Sequence, residues 1–301
     1  MQSQGILTIE RMCQMAGVSR AGYYRHWTEA APDEAAMALR DALQRAALGH
    51  RSYGYRRVAV LVQRMGYQVS AKRVLRCMRE DNLLAVRRRK FVVTTDAEHD
   101  FLVYPNLARD LVPTGIDQLW VADLTYIRLA REFVYLAVVL DAYSRRVVGW
   151  ALGRSLQTSL PLLALERALA ARNPAPGLVH HSDRGSQYAS GEYVSRLEQR
   201  GMVISMSRPA RPWENARCES FIKTLKQEEI DCRAYRTMEE LEKNLEEFIE
   251  QVYNRTRLHS ALGYWPPAEF EQQQQAAGPV AVTRLAALSF QRHKEIYPDA
   301  G

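Results

Sequence analysis

The sequence predicts an α/β protein with a mixed β-sheet flanked by helices, preceded by a small all-α region. Two patterns predict this class. Two helix-turn-helix layouts occupy the start of the chain, and three consecutive β-rich stretches followed by alternating helical and strand patterns occupy the rest. Charge also differs between the two parts. Residues 1–115 contain 18 Lys and Arg against 11 Asp and Glu, whereas residues 116–301 contain 23 basic and 23 acidic residues. The net charge of +7 suits a polyanion partner, with a merely solvated basic surface as the alternative.

Residues 1–30 are predicted to form a first helix-turn-helix-like segment. The stretch LTIERMCQMAGVSRAGYYRHW contains a short helix, a turn at Ala16–Val18 and a second helix that Ser19 would cap.

Residues 31–85 are predicted to form a helix-turn-helix DNA-binding domain, and their pattern is clearer than that of residues 1–30. Apolar Val58, Leu61 and Val62 recur at helical spacing, Gly66 ends that helix, and Ser70 caps the next. In the second helix Val74, Leu75 and Met78 face inward, while cations that we expect to contact DNA face outward: Lys72, Arg73, Arg76 and Arg79. A small helical domain with a basic surface is the alternative.

Residues 86–115 lack a sustained period and begin with a basic run. We predict an inter-domain linker in which Arg87, Arg88, Arg89 and Lys90 lie along DNA phosphates.

Residues 116–270 carry the α/β pattern. The stretches LWVADLTYIRLA, EFVYLAVVLDAYS and RRVVGWALG predict three strands, SLPLLALERALAAR a helix, GLVHH a fourth strand and MVISMS a short fifth strand. Further helices are predicted over 190–199, through ARCESFIKTLKQE, and along RTMEELEKNLEEFIEQVYNRTRLH. Residues 271–301 are predicted to form a flexible linker and a tail, because they begin with the low-complexity stretch EQQQQAAGPV.

Three acidic residues stand out against this scheme. Asp123 interrupts an apolar strand, where an unpaired charge is costly, and Asp183 follows the end of the fourth strand. Glu219 lies in a helix, thirty-five residues after Asp183. At 100° per residue, one helix face carries Asn215, Glu219, Lys223 and Lys226, and the opposite face carries Cys218, Phe221, Ile222 and Leu225.

Four motifs resemble one known family. WVADLTYI, HHSDRGSQYAS, NARCESFIKTLKQE and YNRTRLHSALGYWPPAEF closely resemble the OrfB-type transposases of the bacterial IS-three insertion sequences, relatives of retroviral integrases. The resemblance implies an RNase H-like catalytic domain whose D, D-35-E metal triad falls on Asp123, Asp183 and Glu219. It implies DNA contacts by Lys223 and Lys226, and we expect Asn215 to join them.

That resemblance implies a Mg²⁺-dependent enzyme that cleaves and transfers DNA strands at the ends of an insertion sequence. Two Mg²⁺ ions, with Mn²⁺ as a substitute, would be held by hard oxygen ligands. The expected partners are the terminal inverted repeats, target DNA, at least a second copy of the chain, and an upstream-frame protein. The alternatives are a helix-turn-helix regulator with a degenerate nuclease-like domain, and a nuclease that cuts without joining.

Other residues have simpler interpretations. Asp183 could cap the turn before Gly185, and Asp141 is predicted to be a turn residue. Adjacent His180 and His181 point to opposite faces of a strand, which favours packing over a shared metal. Glu214 should not share the acidic site; it and Ala210 stand where the family usually has Asp and Gly.

The chain has no apolar run of membrane-spanning length and no signal-peptide core, so we expect a cytoplasmic, nucleoid-associated protein.

Overall fold

The computed structural model describes residues 8–26, 34–85, 103–208 and 211–276. The chain forms two compact units, residues 1–86 and 87–301. The predicted phosphate contacts at Arg87, Arg88, Arg89 and Lys90 lie outside the described residues, as do Ala210 and the tail 277–301.

The first unit contains five helices among its described residues: α1 (Ile9–Met15), α2 (Arg20–His26), α3 (Glu34–Gly49), α4 (Tyr55–Arg64) and α5 (Ala71–Glu80). Ser19 Oγ accepts the Gly22 N–H at 3.0 Å, which confirms the predicted cap of α2. Ser70 Oγ accepts the Arg73 N–H at the start of α5. Gly66 follows α4 with a φ of 94°, a conformation that glycine adopts without strain.

Helix α5 presents the predicted two faces. Val74, Cys77 and Met78 are buried, while Leu75 is only partly buried. The side chains of Lys72, Arg73, Arg76 and Arg79 are exposed. The structure therefore leaves these four cations accessible, and their DNA contacts remain a prediction.

The second unit is built on a five-stranded mixed sheet of order β3-β2-β1-β4-β5. Its strands are β1 (Leu119–Arg128), β2 (Phe133–Asp141), β3 (Val147–Gly153), β4 (Val179–Ser182) and β5 (Val203–Met206). The first three are antiparallel neighbours, and β4 and β5 run parallel to β1. The sequence predicted all five strands, and β1 lies at the centre of the sheet.

Helices cover both faces of the sheet. One face packs against α6 (Ser159–Arg172) and α7 (Gly191–Gln199). The other packs against α8 (Ala216–Glu228), α9 (Met238–Glu246) and a π-helical continuation over Glu247–Thr256. Helix α6 approaches β3 so closely that a Cβ on Gly149 would lie 2.3 Å from the Ala164 carbonyl oxygen. A short helix α10 (Pro267–Ala276) ends the described chain.

The second unit extends beyond both predicted domain boundaries. Residues 103–111, which we call the entry segment, lie inside the predicted linker, yet Tyr104, Leu107 and Leu111 pack on the sheet's two cores. At the other end, Glu271 was predicted to begin a flexible linker, but it lies within α10, is 2% exposed and pairs with Arg146 and Arg172. Apolar and ion-pair contacts thus join flanking residues to the second unit, although these residues have no strand or helix pattern of their own.

Within the described residues, no helix is long and apolar enough to cross a membrane.

Candidate active site

Asp123 lies in the middle of β1, on the face that α8 covers. Its Oδ1 accepts the N–H of the next residue, Leu124, at 2.8 Å. The pKa of Asp123 is raised to about 8, chiefly by burial and then by the charges of Asp183 and Glu219. A carboxyl in such surroundings is costly to ionise without a cation, so the position favours a cation-binding role over a structural one.

Asp183 follows the last residue of β4, the strand parallel to β1. Its Oδ1 accepts the Gly185 N–H at 2.9 Å, so the turn role considered for this residue is present. A carboxylate has about four lone-pair positions, and one backbone bond does not exhaust them. The turn therefore orients Asp183 and is compatible with a ligand role.

Glu219 extends from the first turn of α8 and is exposed to solvent. Burial of part of its carboxyl raises its pKa. Cys218, Phe221 and Leu225 on the opposite face of α8 are buried in the core, as predicted. The charge of Glu219 nevertheless raises the pKa of Asp123, so the two carboxylates lie within electrostatic reach of each other.

The three carboxylates are neighbours, but they are not arranged as a closed metal cage. Among the described residues, no group of three or more His, Cys, Asp or Glu side chains is close enough to enclose a metal ion. The donor set still fits Mg²⁺, since all three donors are hard carboxylate oxygens and two of the groups raise the pKa of the third.

Two lysines of α8 flank this acidic site. Lys223 is exposed, and Lys226 is half-buried with its Nζ 4.8 Å from the centroid of the Tyr126 ring on β1. The charge of Lys226 lowers the pKa of Asp123, so Lys226 lies near the carboxylates. This surface is where the predicted DNA contacts of both lysines would form.

Asn215 does not occupy the position predicted for a DNA contact. Its side chain is buried, and its Nδ2 donates to the Ala122 carbonyl oxygen at 2.9 Å. This bond attaches the start of α8 to the strand residue beside Asp123. The helix arithmetic placed Asn215 on the face of Glu219, but the chain preceding α8 is a 3₁₀ turn, Pro212–Asn215, with a different periodicity.

Glu214 anchors the same turn from the other side. Its Oε1 accepts Arg208 Nε at 2.8 Å and Nη2 at 2.5 Å, and its Oε2 accepts Arg208 N at 2.8 Å and Asn106 Nδ2 at 2.7 Å. Burial raises the pKa of Glu214, but the bonds from Arg208 and Asn106 lower it by more, to about 2. Glu214 is outside the acidic site, as predicted, yet it ties the turn before α8 to the entry segment, which the sequence did not indicate.

An ion pair holds the other end of α8. Arg257 Nε and Nη2 donate to the two carboxylate oxygens of Glu228 at 3.0 and 2.7 Å, and both side chains are nearly buried. Arg257 belongs to the motif YNRTRLHSALGYWPPAEF, to which the sequence assigned no specific role. Its contact shows that this motif fixes the helix that carries Glu219.

The remaining polar candidates have structural roles. His180 Nε2 lies 3.1 Å from the Tyr193 hydroxyl, and His181 Nδ1 lies 2.8 Å from Ser205 Oγ. Burial lowers the pKa of His180 to about 3 and that of His181 to about 4. Asp141 is fully buried in the β2–β3 turn, where its carboxylate accepts the N–H groups of Asp117, Tyr143 and Ser144. The predicted packing and turn roles are confirmed.

Comparison with known proteins supports both units. The family model described as an integrase core domain matches residues 113–212, a second integrase core domain model matches 200–267, and an HTH-like domain model matches 34–91. The HTLV-2 integrase catalytic core domain, solved in complex with magnesium, aligns with 52% of this chain and 98% of its own, with 15% identity and a TM-score of 0.40.

Bacterial relatives match most of the chain. The insertion element IS600 uncharacterized 31 kDa protein of Shigella sonnei is 38% identical over 87% of this chain and 98% of its own. Transposase InsF for insertion sequence IS3A of Escherichia coli strain K12 is 32% identical over 90% of this chain and 96% of its own. An integrase core joined to a helix-turn-helix region defines a DDE integrase-core transposase. At this identity and coverage, the chain belongs to the IS3 family of insertion-sequence transposases.

Proposed function

We propose that this protein cuts DNA at the ends of an insertion sequence and joins the released ends to target DNA in a Mg²⁺-dependent reaction. In the first step water attacks a phosphodiester: a P–O bond to the water oxygen forms as the P–O bond to the 3′-oxygen breaks, which leaves a 5′-phosphate and a 3′-oxygen that takes up a proton to become a 3′-hydroxyl. In the second step that hydroxyl attacks another phosphodiester, so one P–O bond forms as another breaks. Both steps are displacements at phosphorus, and one site serves both.

The single observation that carries this proposal is the electrostatic environment of Asp123. Burial raises the pKa of Asp123 to about 8, and the charges of Asp183 at the end of β4 and Glu219 on α8 add to that increase, so both of these carboxylates lie within electrostatic reach of Asp123. Repulsion among these carboxylates destabilises the fold when no cation offsets it. Such repulsion is expected at a site that binds divalent cations, because the bound cation offsets the charges.

Asp123, Asp183 and Glu219 would hold two Mg²⁺ ions, for which Mn²⁺ could substitute. Bound Mg²⁺ supplies Lewis-acid stabilisation of the attacking and leaving oxygens. The protein's own contribution is positional. Asn215 and the Arg257–Glu228 pair hold the two ends of α8, so that Glu219 stays opposite Asp123. Lys223 and Lys226 would bind phosphates beside the scissile bond.

The expected DNA contacts outside this site are those of the exposed cations of α5, Lys72, Arg73, Arg76 and Arg79. An exposed basic helix face supports recognition of the terminal repeats by this unit. Joining two DNA ends requires that both be held at once, so the active form would contain at least two copies of the chain in the bacterial cytoplasm. A protein from an upstream frame would be a further partner.

The test is a strand-cleavage and joining assay on a duplex that carries the element's terminal inverted repeats. We expect wild-type protein with Mg²⁺ to give nicked and joined products, and Asp183→Asn to bind the duplex without cutting. Glu198→Gln, at an exposed position on α7, is the matched control and should behave as wild type. Binding without any cutting by wild type would favour a regulator, and cutting without joining would favour a simple nuclease.

A further inference from the structure

Trp213 is an exposed residue of the 3₁₀ turn that precedes α8. Its side chain is 63% exposed, more than any other large aromatic side chain in the part of the chain that the structure describes. Tryptophan offers a large apolar ring with a polar N–H, and it is enriched where proteins bind partners. The exposed ring is therefore available to a binding partner.

The two residues that follow Trp213 hold its turn in a defined position. Glu214, the next residue, is held inward by four hydrogen bonds, and Asn215 is buried and bonded to Ala122 O at 2.9 Å. With these two residues anchored inward, the 3₁₀ turn points Trp213 outward. Ala122 precedes Asp123 in β1, so the bond from Asn215 brings this turn close to the acidic site. Trp213 is only two residues before Asn215, and each residue spans at most about 3.5 Å of chain.

The charge around the ring suits a nucleic acid. The guanidinium carbon of Arg211 lies 5.8 Å from the centroid of the Trp213 ring. Arg211 is itself exposed, so this cation and ring form a surface that could contact a phosphate and a base together. An apolar protein partner would gain nothing from the cation, whereas a nucleotide would use both groups.

We propose that Trp213 is a nucleobase-binding site that stacks on a base displaced from the helical stack next to the scissile phosphate. The inference rests on the proposed function, because it assumes that DNA enters the site beside Asp123. Bases inside an intact duplex present no free face, and an aromatic side chain can stack only on a base that has left the stack or ends it. Trp213 would thus hold the strand open where it is cut.

The binding test uses duplexes carrying the element's terminal inverted repeat, in an Asp183→Asn background that prevents turnover. One duplex is fully paired, one has mismatches that unpair the bases beside the scissile bond, and one has an abasic position there. We expect Trp213→Ala to weaken binding of the unpaired duplex by about 5- to 150-fold, the range for loss of one base stack. Trp213→Phe should keep most of the affinity, and the abasic duplex should abolish the difference between variants.

Leu163→Ala is the matched control, since Leu163 is an exposed apolar residue of the same unit on α6. It should bind every duplex as the Asp183→Asn parent does. Equal binding of the unpaired duplex by Trp213→Ala and its parent would overturn the proposal. So would an equal loss on the abasic duplex, which would indicate protein packing or contact between copies of the chain.

A second arm separates the two sources of the base. The abasic position is placed either in the element end or in the target duplex, and strand cleavage and joining are measured with the native Asp183. If the abasic position removes the effect of Trp213→Ala on cleavage alone, the stacked base belongs to the element end. If it removes the effect on joining alone, the base belongs to the target. Cleavage and joining that are both unchanged by Trp213→Ala refute this inference alone, whereas base-dependent binding without any cleavage refutes the proposed function alone.

Discussion

Glu214→Gln should slow strand cleavage although Glu214 is outside the acidic site. The carboxylate accepts four hydrogen bonds, two on each oxygen. In glutamine one of these oxygens becomes an NH₂ group, so one pair of donors faces another donor. The substitution therefore removes two charge-assisted bonds whichever way the amide is oriented.

The magnitude follows from the contacts. Hydrogen bonds to charged groups contribute about 1.5–3 kcal/mol each. The Arg208 side chain is 39% exposed, so water replaces part of what is lost. We expect a net loss of about 2 kcal/mol, which corresponds to about a 30-fold lower cleavage rate if it falls on the arrangement of α8.

The assay is single-turnover cleavage of the terminal-repeat duplex over a series of Mg²⁺ concentrations, with thermal unfolding of the same samples. Glu214→Gln should raise the Mg²⁺ concentration needed for half-maximal rate, because Glu219 is less firmly placed. Glu214→Asp, which keeps the charge, should recover part of the rate, and Glu198→Gln should change nothing. Wild-type rate and Mg²⁺ dependence in Glu214→Gln would refute the reasoning, and a lower melting temperature alone would limit Glu214 to a structural role.

Three further outcomes are expected. Asp183→Asn should abolish Mg²⁺-dependent cleavage while DNA affinity in a gel-shift assay stays at the wild-type level; persistent cleavage would remove Asp183 from the site. Arg257→Ala should lower the free energy of unfolding in urea by about 3–5 kcal/mol, because it leaves the nearly buried Glu228 unpaired, and adding Glu228→Gln should restore part of it. The pKa of Asp141 is raised by burial to about 6 from 3.8. The folded state therefore holds this proton more tightly, and its contribution to stability declines as pH rises from about 4 to about 6. Asp141→Asn should remove that part of the pH dependence, and an unchanged slope would contradict the assignment.

Local pattern was sufficient for most of the fold. Alternating and continuous apolar runs predicted all five strands, and helical spacing with Ser19 and Ser70 caps predicted the helices around both turns. The burial of Cys218, Phe221 and Leu225 on one face of α8 followed from its 3.6-residue period. These features depend on neighbouring residues, so they can be predicted from a single sequence.

The domain edges and the supports of the site could not be predicted in this way. The entry segment and Glu271 have no periodic pattern, and their contacts join positions about a hundred residues apart, as in Asn106 with Glu214 and Arg146 with Glu271. Asn215 was misplaced because helix arithmetic was extended into a 3₁₀ turn. Nothing in the local sequence indicates which distant donor a side chain will meet.

The sequence alone determined the order of elements, the basic character of the first unit and the identity of the three acidic candidates, since residue type and short-range spacing are written along the chain. Only the tertiary structure decided that β1, β4 and α8 bring those acids within mutual electrostatic reach, and that Glu214 and Arg257 secure the helix between them. Long-range contacts form through packing of the whole sheet and its helices, and no local segment contains that information.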